Sequence, residues 1–168
     1  MSLTFVVGSA ADVFPGDLAG AIDAVLRRHF PSIASDGDEP YHSEPIDASG
    51  WRLLQQRVLR TMDLAPQIAG VDAYQAVYVP PASDHVDHLP IANLADPLQV
   101  GSLPALIEEL RTFAAKASLP TDDVELMQLA AHYLETDLDA DLDVQTYVQL
   151  LLSAKQAIAR NQALWIVI

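Results

Sequence analysis

The sequence predicts an α+β fold: a small sheet of about three strands, covered by about five helices, with the C-terminal strand central. Three observations lead there. Leu164, Trp165, Ile166, Val167 and Ile168 form an unbroken apolar run, the pattern of a strand buried on both faces. Ahead of it, Val144, Tyr147, Val148, Leu151 and Ile158 recur at helical spacing, so a helix of about five turns lies back across that strand. Residues 3–7 form a second short apolar run closed by Gly8 and followed by a helical pattern. Strand, loop, helix is the opening of many α/β units. Residues 1–168 read as a single globular domain.

In chain order, Asp17 is a good N-cap for a helix whose face is Leu18, Ile22, Val25, Leu26 and Phe30. Residues 31–49 are rich in turn formers and read as a long surface loop carrying Tyr41 and His42. Trp51, Leu54, Val58 and Met62 then form a helical stripe, widened by Leu59. Residues 73–79 read as a strand, with Tyr74, Ala76 and Tyr78 on one face, ended by Pro80 and Pro81. Residues 80–102 lack a clear pattern, apart from a short edge strand at 91–94 or 98–100. Three helices follow. Ser102 caps the first, with Pro104 in its opening turn and Leu103, Leu106, Ile107, Leu110, Phe113 and Ala114 as its stripe. Thr121 or Asp122 caps the second, whose core face is Leu126, Met127, Ala130, Ala131 and Leu134. Asp143 caps the third, and Asn161 stops it in a left-handed conformation.

Charge is the most unusual global property. Nine Lys and Arg face 23 Asp and Glu, a formal net charge of −14. Nucleic acid and anionic membrane surfaces repel such a chain. No apolar run approaches the roughly 20 residues of a membrane span, and the N-terminus lacks the basic region of a secretory signal. The absence of cysteine excludes disulfides and thiolate chemistry. A cytoplasmic location is the simplest expectation. Eight acids and no Lys or Arg occupy residues 117–154.

Two constellations are candidate sites. His85, Asp87 and His88 lie on one loop, and His42 on the other long loop is the fourth member. Imidazole and carboxylate together suit a divalent transition metal, the start of metal-assisted hydrolysis. The helical H-E-x-x-H spacing is absent, and a solvated polar loop is the alternative. The second constellation is Asp137, Asp139, Asp141 and Asp143. Alternating aspartates suggest a calcium loop, but Leu142 or Val144 stands where that loop needs Gly, and Val148 or Leu150 where it needs Glu. A solvated acidic connector capping the last of the three C-terminal helices is the better reading, and as a functional hypothesis the same four aspartates form the contact for a basic protein partner. Neither a phosphate loop nor a nucleophile elbow surrounds Ser9.

In size and charge the chain is similar to small acidic bacterial α+β proteins, among them immunity proteins that block basic toxins. The global charge and the missing catalytic motifs point to a non-enzymatic, inhibitor- or immunity-like interaction module that binds a basic protein partner and needs no cofactor. The alternative is a metal-dependent hydrolase.

Overall fold

A computed structural model describes residues 1–34, 39–136 and 140–168. Its sheet has seven strands: β1 (Ser2–Gly8), β2 (Tyr41–His42), β3 (Ile46–Asp47), β4 (Ala76–Val79), β5 (Asp87–Leu89), β6 (Leu98–Ser102) and β7 (Ala163–Val167). Six α-helices accompany it among the described residues: α1 (Gly16–His29), α2 (Ser49–Thr61), α3 (Pro66–Ala69), α4 (Leu103–Ala117), α5 (Asp123–Glu135) and α6 (Leu142–Arg160). The class is α+β, but the expectation of about three strands and five helices is corrected. The short edge strand expected at 98–100 is β6, which lies inside the sheet between β4 and β5, while the additional strands β2, β3 and β5 hold two or three residues each, too few to display alternation in sequence. They exist because longer neighbours offer unpaired backbone edges.

The strand order is β2-β1-β7-β4-β6-β5, with β3 pairing β1 beyond β2. β7 runs antiparallel to both its neighbours, setting Trp165 against Val6 and Val77, and Leu164 against Val7 and Tyr78. β4 and β6 are parallel, which makes the sheet mixed. Side chains alternate between two cores. Leu3, Phe5, Val7, Tyr78, Leu164 and Ile166 join buried residues of α2, α4 and α6 on one face. Val6, Val77, Val79, Leu98, Val100 and Trp165 meet Ile22 and Leu26 of α1 on the other. The two-sided burial of β7 is why its sequence is apolar without alternation.

Two local expectations are corrected as well. Residues 73–75 form a single 3-10 turn, because the Asp72 carboxylate accepts the Tyr74 N–H; Tyr74 is exposed. Asp141, at φ 52°, holds the cap position of α6 in place of Asp143. Asp143 instead accepts from Arg57 at 2.9 Å and from the Val144 N–H. Asn161 ends α6 at φ 53°, a left-handed stop.

A buried polar cluster ties the short helix α3 to the sheet. Gln67 accepts the Ser102 N–H at 2.8 Å, and Tyr78 donates its hydroxyl to the Gln67 carbonyl. The Glu109 carboxylate accepts the N–H groups of Gln67 and Ile68. Burial pushes the Glu109 carboxyl above its usual range, against the pull of those two bonds.

Candidate functional site

The acidic face is built on α5 and the start of α6. The turn before α5 is pinned from below: Tyr147 donates to the Pro120 carbonyl, and burial pushes its phenol up to about 12, so it remains a donor. Lys155 donates to the Thr121 carbonyl and pairs with Asp123, both at 2.6 Å. Asp122 caps α5 by accepting the N–H groups of Val124 and Glu125. Two cations beside this face are thus engaged. Lys155 holds the turn, and Arg57 pairs with Asp143 and lies over the Phe113 ring at 5.7 Å.

The four aspartates expected to meet a partner do not share one role. Asp137 and Asp139 lie outside the described residues. Asp141 is exposed and receives the Tyr133 hydroxyl at 3.4 Å. Burial first, then the Asp141 carboxylate, raises the Tyr133 phenol. Asp143 is half-buried in its pair with Arg57, a tie between α2 and α6. Glu125 and Glu135 are exposed and form no ion pair among the described residues.

The predicted core face of α5 divides. Of Leu126, Met127, Ala130, Ala131 and Leu134, only Leu126 is buried, with Ala130 packed beside it. Met127, Ala131 and Leu134 are exposed, as is Val124. Leu129 and Tyr133 take the inward places instead. Sequence reasoning missed this outer face. Its signal was an apolar arc running from Leu129 round to Val124, wider than one core face needs.

The His-Asp loop lies at the far edge of the sheet. Asp87 and His88 belong to the edge strand β5, and His42 belongs to β2 at the opposite edge. Five strand spacings separate them, roughly 24 Å. His42 therefore does not join His85, Asp87 and His88, and among the described residues no three His, Asp or Glu side chains gather as a metal ion requires. His85 has both ring nitrogens engaged: Nδ1 lies 3.0 Å from Asp84 and Nε2 3.0 Å from Asp87. Carboxylates on both sides of the ring favour its protonated form. The Asp84 hydrogen bond, then the Asp87 charge, raises the His85 pKa above the ordinary 6.5.

Because the folded value is raised, any stability from this loop is complete below the unfolded value and is lost as pH rises through the folded one. The imidazole should titrate above 6.5 in a carbon-edited NMR pH series. Asp84→Asn with Asp87→Asn should return it to the ordinary value; an unchanged midpoint would show that the carboxylates do not bracket the ring.

A cleft of about 700 Å3 opens between the start of α2 and residues 69–74. Arg52 and Met1 lie on its lining, and the Gln55 amide is committed to the carbonyls of Ile68 and Val71. Ser49, also on the lining, donates its hydroxyl to the Asp47 carboxylate at 2.6 Å. Comparisons with protein-family models, curated proteins and solved structures give no match. Among the described residues no helix is long and apolar enough to cross a membrane.

Proposed function

We propose that the protein is a non-enzymatic interaction module that engages a basic protein partner through the face formed by α5 and the start of α6, in the manner of an inhibitor or immunity protein. One observation carries the reading. On this face Lys155 and Arg57 are tied into structural contacts, while Glu125, Glu135 and Asp141 stand exposed. Crowded like charges repel one another, and a basic partner relieves that repulsion. Such a partner is steered before it docks, so its association rate falls with salt.

The test neutralises the exposed acids and spares the structural ones. Glu125→Gln, Glu135→Gln and Asp141→Asn keep size and shape, and Asn tolerates the left-handed conformation of residue 141. Asp143 is left intact because removing it strands Arg57. The wild-type protein, immobilised in a lysate at low salt, should capture basic proteins. They should elute as the Debye length falls from about 10 Å at 0.1 M to about 3 Å at 1 M. The neutralised variant should capture much less. Equal capture by both forms, or capture indifferent to salt, defeats the proposal.

A further inference from the structure

Helix α5 presents a second apolar face that nothing in the chain covers among the described residues. Val124, Met127, Ala131 and Leu134 follow one another at spacings of three, four and three, which places them on one side of a helix. Val124 is 61% exposed, Met127 62% and Leu134 55%. Single exposed apolar residues are ordinary, but a continuous row on a helix with one fully buried residue marks a contact surface. At 100° per residue, Asp123 borders the row on one side and Glu135 on the other, with Glu125 farther round, beyond Gln128 and His132. Asp123 is paired with Lys155 at 2.6 Å, so the uncompensated side of the row is the one that Glu135 and Glu125 line.

From this row and its border we infer the form of the contact: the stripe Val124, Met127, Ala131 and Leu134 seats an amphipathic helix of the basic partner. That helix carries its own apolar row flanked by Lys and Arg. The inference rests on the basic-partner reading above and adds what lies at the centre of the contact. Apolar burial supplies the affinity there, and the acidic border supplies orientation. A second copy of this chain is the wrong occupant. It would bring a charge of −14 against another −14 and press two acidic borders together. A neutral apolar helix would leave Glu135, which has no ion pair among the described residues, without a partner.

Two labelled synthetic peptides test this. One is an amphipathic helix with a Leu row flanked by Lys; the other keeps every Lys and replaces the Leu row with Gln. Fluorescence anisotropy measures both against the full chain and against Val124→Ser, Met127→Ser, Leu134→Ser, whose fold is checked by its melt. Met127→Gln alone is the second variant, should the triple one unfold. The wild type should bind the Leu peptide at least about tenfold more tightly than the Gln peptide, and the triple variant should lose that margin. Met127→Gln should lose part of it. Weak salt-sensitive binding of both peptides should survive in every form.

A margin unchanged in the variants overturns the docking seat but leaves the basic-partner reading standing. Binding that is insensitive to salt overturns both. Failure of the wild type to prefer the Leu peptide overturns the seat. So does a wild-type dimer in sedimentation that the triple variant abolishes, since the occupant is then a second copy.

Discussion

A chain ending at Gln162 should show no cooperative melt and should accumulate as insoluble protein. The missing segment is only the chain end, yet β7 lies between β1 and β4 and pairs with both. Its loss exposes the inner edges of two strands at once. It also empties both cores, since Leu164 and Ile166 pack on the face of α2, α4 and α6, while Trp165 packs on the face of α1. Each such side chain contributes about 1.5–3 kcal/mol on burial, and the sum for three rivals a typical net stability of about 5–15 kcal/mol. The Trp165 indole also donates to the Gly8 carbonyl at 3.0 Å, tying the strand to the end of β1. Trp165→Ala is the milder form, expected to cost about 3–5 kcal/mol in urea unfolding. A soluble truncation with an unchanged melt would show that β7 is not the centre of the sheet.

Gly101→Ala should destabilise the protein by about 1–3 kcal/mol through overpacking. A methyl group at Gly101 would come within 2.5 Å of the Tyr78 ring and 2.6 Å of the Gln67 side-chain oxygen. Both residues are fully buried, so neither has free space to yield. Moving Gln67 would strain its bond from the Ser102 N–H, and moving Tyr78 would strain the bond to the Gln67 carbonyl. Gly20→Ala is the control. Gly20 lies within α1 with nothing near the added methyl, and the change should stabilise by about 0.5–1 kcal/mol. Urea denaturation of the two variants should give shifts of opposite sign; equal midpoints would remove the close approach as a determinant of stability.

How much of this was legible in the sequence depended on whether a local period carried it. The stripe on α4, from Leu103 to Ala114, repeats at helical spacing and is buried at Leu103, Leu106, Leu110 and Phe113. The helix-ending role of Asn161 was equally local. Tyr74 read as a strand residue because alternation extends through it, but the Asp72 side chain turns the backbone there. The acidic character of residues 117–154 was plain from composition, while the split roles of Asp141 and Asp143 were not. Which carboxylate is tied down depends on Arg57, 86 positions away in sequence.

Local pattern and composition were enough for the α+β class, for an apolar two-sided strand that runs over Ala163–Val167 with Ile168 exposed beyond it, and for the large negative charge, because each is a property of neighbouring residues or of their sum. The tertiary structure alone decided the number of strands, since strands of two or three residues have no period and form only against an edge supplied by distant chain. It alone separated His42 from His88 by the width of the sheet. It alone decided which side of α5 is core, because a helix apolar on two faces buries the one that α6 reaches and leaves the other to water.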